Sequence, residues 1–162
     1  MGYKLSKDTL YEYISYLQEA YTLFTAPIYR NSVKEEQRHP KKLYAIDNGF
    51  KKLFDTSLSS DFSKLYENLA FLHLRRKSLE VYYFKGNQEV DIYANINGGV
   101  LVNVSYDITS IETFQREVNA LKEGMEYFNL TKSYLVTKER DETIIINDKK
   151  VIVIPMWKWL IL

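Results

Sequence analysis

The sequence predicts an α/β domain whose core elements follow the order helix, three strands, helix, strand. Two long segments repeat apolar residues at helical spacing, and short alternating segments bounded by turn residues lie between and after them. The chain has 162 residues, of which 46% are hydrophobic, and this is enough to bury a core of its own. One domain with an N-terminal appendage is therefore the expected organisation.

Acidic and basic residues nearly cancel, with 22 lysines and arginines against 21 aspartates and glutamates. A net charge of +1 creates no overall field that would attract nucleic acid, so any basic binding surface must be local. The lack of cysteine excludes disulfides, thiolate zinc sites and cysteine nucleophiles, and it fits a reducing compartment. Because no apolar stretch approaches the length of a membrane span, we expect a cytoplasmic protein that does not bind membranes.

The N-terminal segment, residues 1–55, is predicted to contain a helix followed by a hairpin. Its apolar residues share one helical face after a Ser6 cap: Leu10, Ile14, Leu17, Tyr21 and Phe24. Pro27 is expected to end this helix, and strand-like pieces at 28–30 and 43–46 flank a polar and basic stretch. This arrangement resembles the end of a winged helix, whose first helices we expect upstream.

The core is predicted to begin after a connector at residues 51–60, with Ser60 or Asp61 capping a helix. That helix carries apolar residues on two faces: Phe62, Leu65, Leu69 and Leu72 on one, Phe71 and Leu74 on the other. A helix of this kind is expected to lie between two layers, so Glu67, in line with Phe71 and Leu74, should be partly buried.

The remaining elements follow from alternating segments and one further helical repeat. Residues 111–128 predict a long helix, and residues 156–162 a short aromatic plug that docks on the core. Strands are predicted at 80–84, 89–94, 100–106, 133–137, 143–146 and 151–154. The first three are expected to form an antiparallel meander because short turns separate them.

The second strand of this meander carries a carboxylate at its centre. Period-two alternation predicts that Glu89, Asp91 and Tyr93 share one face, opposite Val90 and Ile92. The central acid would therefore project from the middle of the sheet.

The third strand carries polar residues where a buried face is expected. Alternation places Asn103 and Ser105 on one face with Leu101, opposite Val102 and Val104. Two polar side chains are therefore expected at positions where a strand usually carries apolar ones.

The order of elements and the two acids, Glu67 and Asp91, resemble the PD-(D/E)XK nuclease superfamily, in which a helix Glu, a strand Asp and an acid-x-Lys strand converge. More narrowly, the chain resembles the C-terminal nuclease-like domain of archaeal and bacterial AAA-type ATPases. The resemblance is carried by KLYAIDNG at 42–49, ENLAF at 67–71, EVDI at 89–92, Arg116-Glu117 with Ala120-Leu121, and IPMWKWL at 154–160. It implies a restriction-endonuclease-like core in residues 56–162 after a partial winged-helix segment, and an upstream ATPase domain.

The resemblance also implies a degenerate catalytic site. Hydrolysis in this superfamily needs carboxylates that hold Mg²⁺ and a lysine that orients water or neutralises charge. Here Glu67 and Asp91 are present, but Asn103 stands at the acid position and Ser105 at the lysine position. We therefore expect weak Mg²⁺ binding at most and no efficient cleavage, unless Lys85 has taken over the role of the lysine.

Three functions remain open at this point. The first is an accessory module without nuclease activity that binds DNA or supports assembly of the ATPase. Its predicted DNA-binding residues are Lys41, Lys42, Arg75, Arg76 and Lys77. The second is a Mg²⁺-dependent nuclease with a rearranged site. The third is a purely structural or oligomerisation domain, whose aromatic end around Trp157 and Trp159 packs against another subunit or against the upstream domain.

Overall fold

The computed structural model describes residues 6–50 and 62–162. The predicted connector at 51–60 and the predicted cap at Ser60 or Asp61 lie outside these residues. The described elements in chain order are α1 (Lys7–Glu19), β1 (Leu23–Ala26), α2 (Val33–Glu36), β2 (Lys42–Ala45), α3 (Phe62–Arg75), β3 (Val81–Lys85), β4 (Glu89–Ala94), β5 (Val100–Val104), α4 (Ile111–Tyr127), β6 (Lys132–Thr137), β7 (Glu142–Ile146), β8 (Lys149–Pro155) and α5 (Met156–Trp159).

Six strands form one mixed sheet in the order β3-β4-β5-β6-β8-β7, and β1 and β2 form a separate antiparallel pair. The meander β3-β4-β5 is antiparallel, β5, β6 and β8 run parallel, and β7 returns antiparallel beside β8. The predicted α/β class and the predicted meander are confirmed. No helix in the described ranges combines the length and apolar character needed to cross a bilayer.

The sheet separates two apolar cores. One core lies on the α3 side and includes Phe71, Val102 and Trp159, and the other lies on the α4 side and includes Leu121 and Leu135. The hairpin β1–β2 contacts both α3 and β3 and belongs to the first core. Helix α3 therefore packs against the hairpin as well as against the sheet, as its two apolar faces predict.

The predicted extension of the first helix to Pro27 is wrong, because α1 ends at Glu19. Tyr21 adopts a left-handed backbone conformation with φ 53°, and the N–H of Thr22 donates to the carbonyl of Leu17 at 2.9 Å. This pattern closes a helix, and the residue at its turning point is usually glycine. The stop signal was missed because a tyrosine stands there.

The hairpin also departs from the prediction. Its first strand is β1 (Leu23–Ala26) and not residues 28–30, because the early end of α1 frees these residues to pair with β2. Ile28 instead forms an isolated parallel bridge with Tyr83 of the large sheet. The connection between β1 and β2 contains the short helix α2.

The predicted alternation along β4 is wrong at its centre. Strands β3 and β4 pair Phe84 with Val90 but Tyr82 with Tyr93, so β4 has one extra residue between these pairs. Val90 and Tyr93 consequently pack in the same core, on the α4 side. A β-bulge of this kind changes the direction in which side chains point. Asp91 lies inside the bulge.

The C-terminal half follows the sequence closely. Helix α4 starts after Ser110, whose side chain accepts from the N–H of Thr113 at 3.4 Å. Asn147 and Asp148 have φ values of 48° and 63° and form the tight turn between β7 and β8. Helix α5 buries Trp159 on the α3 side, so the predicted docking of the aromatic end on the core is confirmed.

Candidate functional site

Four charged side chains meet between β2, α3 and β4. The Nζ atom of Lys42 lies 2.8 Å from Glu89 Oε1, 3.0 Å from Glu67 Oε1 and 3.2 Å from Asp91 Oδ1. We call these four residues the Lys42 cluster. Only 22% of the Glu67 side chain is exposed, so its predicted partial burial is confirmed.

The strand β2 brings Lys42 to this position. Lys42 is the first residue of β2, and Tyr44, two positions later, shares its face, while the intervening Leu43 is 56% exposed. The Tyr44 ring stacks on Phe71 of α3 at 3.9 Å, and its hydroxyl donates to Glu67 Oε1 at 2.8 Å. Burial, followed by the negative charge of Glu67, raises the pKa of Tyr44, which keeps this hydroxyl a donor.

Asp91 is held at the bulge by both of its carboxylate oxygens. Oδ1 accepts from Lys42, and Oδ2 accepts from the N–H of Val104 at 2.9 Å. The N–H of Asp91 in turn donates to Asn103 Oδ1 at 3.0 Å. At this point the backbone N–H groups of β4 and β5 therefore donate to side chains of the neighbouring strand and not to its backbone carbonyls.

The electrostatics of Asp91 follow from its surroundings. Burial raises the pKa of Asp91 to about 7; the ammonium of Lys42 opposes this shift, and the negative charge of Glu67 adds to it. Burial opposes the charge of Lys42, but the neighbouring carboxylates of Asp91, Glu67 and Glu89 outweigh it and raise the pKa of Lys42. The lysine therefore stays protonated at every physiological pH.

Asn103 is fully buried and uses both ends of its amide. Its Oδ1 accepts from Asp91, and its Nδ2 donates to Glu117 Oε2 of α4 at 2.7 Å. Glu117 also accepts from Arg116 at 2.7 Å. The face that Asn103 is predicted to share with Leu101 is confirmed, and in the structure this face is directed towards α4.

Neither of the two positions at which the sequence predicts a catalytic lysine, Ser105 and Lys85, provides the cation that contacts the acids. Ser105 is buried, and its hydroxyl donates to the backbone carbonyl of Asp107 at 3.1 Å. Lys85 is exposed at the end of β3. Among the described residues it is Lys42, and not Lys85, whose ammonium contacts Glu67 and Asp91. Lys42 belongs to β2, a strand of the separate two-stranded pair, so the cation of this site does not come from the large sheet.

The predicted DNA-binding residues separate into two groups. Lys42 is committed to its three carboxylates and is not a free surface cation. The guanidinium of Arg75 lies 5.6 Å from the ring centre of Phe24 and is half-buried. Three further cations are exposed and able to contact a phosphate: Lys41, Arg76 and Lys77.

Two cavities flank the cluster. One of about 400 Å³ is lined by residues that include Gln88, Asp91, Ser105, Arg116 and Glu117. The other, of about 220 Å³, lies on the side of the hairpin and has lysines in its wall, among them Lys41 and Lys85. The cluster is therefore reachable from both sides.

The donor set does not fit a divalent metal ion as it is arranged. Mg²⁺ requires several oxygen ligands at roughly 2.1 Å in octahedral geometry. Here an ammonium already bridges Glu67 and Asp91, and the carbonyl oxygen of Asn103 accepts from the backbone. Within residues 6–50 and 62–162, no group of three or more histidine, cysteine or acidic side chains is arranged to hold a metal.

The chain is 29% identical over 167 aligned positions to an uncharacterized protein of Methanocaldococcus jannaschii, and the alignment covers 96% of the chain and 37% of that protein. The chain thus spans a little over a third of the length of this relative. No protein-family model and no solved structure matches the chain significantly.

Proposed function

We propose that this chain has a restriction-endonuclease-like core and serves a larger ATPase as a DNA-binding module that does not hydrolyse DNA. One observation carries the proposal: the ammonium of Lys42 bridges the carboxylates of Glu67 and Asp91 at 3.0 and 3.2 Å. A nuclease of the resembled superfamily would need these carboxylates for Mg²⁺.

The charges of the cluster support a non-hydrolytic site. Three carboxylates and one ammonium give a formal charge of −2, or −1 when Asp91 is protonated. The third strand adds no charge, because the amide of Asn103 and the hydroxyl of Ser105 are neutral and already hydrogen-bonded. A permanently charged lysine thus partly neutralises the acids without the Lewis acidity that activates water.

Exposed cations outside the cluster support the DNA-binding part. Lys41, Arg76 and Lys77 are solvated and free to approach phosphates. The greater length of the Methanocaldococcus jannaschii relative is compatible with a module that works beside other domains. The ATPase context itself rests on the family resemblance of the sequence.

Salt dependence of duplex binding tests the proposal. Binding of a labelled DNA duplex should weaken steeply between 50 and 200 mM salt, because the logarithm of the binding constant falls with the logarithm of the salt concentration with a slope of about 0.9 per contacted phosphate. Replacing Lys41, Arg76 and Lys77 together by alanine should flatten this slope. Lys132→Ala changes another exposed lysine and should leave the slope unchanged. A flat salt response of the parent protein, or no binding at low salt, removes the DNA-binding part.

A cleavage assay tests the non-hydrolytic part. Supercoiled plasmid and branched DNA should stay intact with the protein in Mg²⁺ or Mn²⁺. Cleavage that EDTA stops, and that Asp91→Ala abolishes, would instead establish a nuclease.

The Mg²⁺-dependent nuclease remains the second candidate, since Lys42 supplies a cation where Ser105 cannot. Its ammonium lies 3.2 Å from Asp91, which lines the cavity of about 400 Å³, and Lys42 itself lines the cavity of about 220 Å³. In that case Lys42→Met should abolish the cleavage while Lys85→Met leaves it intact. If neither variant changes a measured cleavage rate, the Lys42 cluster is not its source.

A further inference from the structure

A third cavity, which we call the crevice, lies at the carboxyl ends of two adjacent parallel strands, β5 and β6. Its volume is about 410 Å³, and its walls come from residues 106–109, which follow β5, and from residues 137–140 at the end of β6. Strand β5 is also where the sheet changes from antiparallel to parallel pairing. Open α/β sheets commonly bind ligands outside the carboxyl ends of their strands.

Tyr106 provides an aromatic surface in this crevice. Its ring packs nearly parallel to Phe62, with centroids 4.9 Å apart and planes 20° apart, and Tyr66 contacts it edge-on at 5.0 Å. The backbone N–H of Tyr106 donates to Ser63 Oγ at 3.4 Å. Two aromatic neighbours and this anchored backbone fix the ring, so little conformational entropy is lost when a planar ligand stacks on it.

Two cations line the crevice together with the tyrosine. The ammonium of Lys138 lies 5.9 Å from the ring centre of Tyr106, and its ion pair with Glu139, whose side chain is 77% exposed, is weak in water. The guanidinium of Arg140 is held 4.1 Å from the ring centre of Phe114. Lys138 is therefore free to turn towards a ligand, while Arg140 is already positioned.

The acids of the crevice do not block an anion. The carboxylate of Asp107 accepts from the N–H of Thr109 at 2.9 Å and so is turned to its own loop. Arg140 is paired with Glu142 at 2.6 Å, but 42% of its side chain stays exposed. A ligand with both an aromatic ring and a phosphate would use the ring of Tyr106 and the two cations together.

We infer that this crevice binds single-stranded nucleic acid, with a base stacked on Tyr106 and its phosphate held by Lys138 and Arg140. The inference rests on the proposed DNA-binding function and names a site for it. The crevice has room for one nucleotide unit. Bases in a duplex are already stacked and paired, so only an unpaired base can reach the ring.

The location connects the crevice with the Lys42 cluster. Ser105 lines the cavity beside Asp91, and the next residue, Tyr106, lines the crevice. A strand held on Tyr106 would therefore run past the acidic cluster, and its backbone would meet Arg116, which is exposed at the wall of the same cavity.

Fluorescence anisotropy with a labelled oligothymidine and a labelled blunt-ended duplex tests this site. Tyr106→Ala should weaken oligothymidine binding by about 5- to 100-fold, and Tyr106→Phe should retain most of it, since stacking needs the ring. Lys138→Glu should weaken it as well, whereas Lys132→Glu, the same charge change on β6, should not. Duplex binding should stay unchanged in all four variants.

The results separate this site from the function on which it rests. Unchanged oligothymidine binding in folded Tyr106→Ala and in Lys138→Glu, with duplex binding intact, overturns the crevice and leaves the DNA-binding proposal standing. Lack of binding to both probes overturns both. Free thymidine monophosphate that binds as tightly as the oligonucleotide overturns the assignment to a strand. Lys138→Glu changes an exposed side chain, so it remains informative if Tyr106→Ala fails to fold.

Discussion

At the scale of single residues, the Lys42 cluster is a network in which one cation serves several anions. Lys42 contacts three carboxylates, and each of these side chains is less than 40% exposed. If Lys42 is removed, its three carboxylates lose their cation at a half-buried position, where water cannot fully solvate them. The cost therefore exceeds that of a surface ion pair.

Lys42→Met should lower the free energy of unfolding by about 3 kcal/mol, because Glu67, Glu89 and Asp91 then repel one another without a cation. The adjacent Lys41→Met is the control, since Lys41 is exposed and should change stability by about 0.5 kcal/mol or less. Urea unfolding of both variants at pH 8 measures the difference. Equal midpoints for the two variants would show that the cluster is not stabilising.

Asn103→Asp places an acid at the position where the resembled superfamily carries one, but we expect it to damage the fold. The new carboxylate would face Glu117 Oε2, which now accepts from Asn103 at 2.7 Å, in a fully buried position. The loss should be about 3 kcal/mol. Adding Glu117→Gln should recover more than half of it, because an amide can again donate there. Urea unfolding of the single and double variants checks the recovery.

Asp91 predicts a pH dependence of stability. Its pKa is about 7 in the folded protein, above the value of 3.8 for the free group, so the folded state holds the proton more tightly. Its contribution to stability is complete below about pH 4 and is lost as the pH rises through 7. We expect unfolding free energy to fall by roughly 2 kcal/mol from pH 5 to pH 8, and less in Asp91→Asn. An equal fall in both proteins would contradict this assignment.

At the scale of elements, the packing of α4 on the sheet depends on a glycine. A Cβ atom at Gly124 would lie 3.1 Å from Leu101 Cδ1 and 3.3 Å from Val90 Cγ2. Helix and sheet therefore approach more closely there than larger side chains allow.

Gly124→Val should lower the free energy of unfolding by about 2 to 3 kcal/mol through overpacking and poor helix propensity. Gly124→Ala is the matched variant and should be close to neutral, because its gain in helix propensity offsets a small repacking of Leu101. Thermal denaturation distinguishes the two. A valine variant as stable as the alanine variant would mean that α4 shifts away from the sheet without cost.

The sequence predicts those elements whose signal is local. Helix α4 and the meander follow directly from apolar spacing and short turns, and both agree with the structure. The end of α1 does not, because Tyr21 adopts a conformation usually taken by glycine. The bulge around Asp91 has no local signature either, because it depends on hydrogen bonds with Asn103 and Val104 of the neighbouring strand.

The main residue that sequence reasoning misplaced is Lys42. Its basic neighbour Lys41 suggests an exposed cation, yet Lys42 contacts Glu67 and Asp91, which lie 25 and 49 positions further along the chain. A signal did exist: Lys42 and Tyr44 must share a face of their strand, and a tyrosine that is buried implies that the lysine points inwards too. Glu67 and Asp91 were found because the order of elements brings them together.

At the scale of the whole molecule, the hairpin and the large sheet share one core. Ala26 and Tyr44 of the hairpin belong to the same cluster as Phe71, Ile92 and Trp159. A shared core predicts that both parts unfold together, since neither can open without exposing apolar surface of the other.

Tyr44→Ala tests this cooperativity. It removes a ring stacked on Phe71 and a hydroxyl bonded to Glu67, and should lower the free energy of unfolding by about 3 to 4 kcal/mol. Leu43→Ala, next to it and 56% exposed, should cost less than about 1 kcal/mol. Tryptophan fluorescence, which reports on α5, should shift together with circular dichroism. A change in circular dichroism that leaves the fluorescence transition in place would show two independent units.

The position of Lys42 along the chain also affects the rate at which the protein unfolds. Its partners Glu67 and Asp91 lie 25 and 49 residues away, so the cluster forms only after long loops have closed at an entropic cost. Interactions completed late in folding contribute little to the folding rate but must be broken early in the reverse direction. The contacts of Lys42 would thus lengthen the lifetime of the native state.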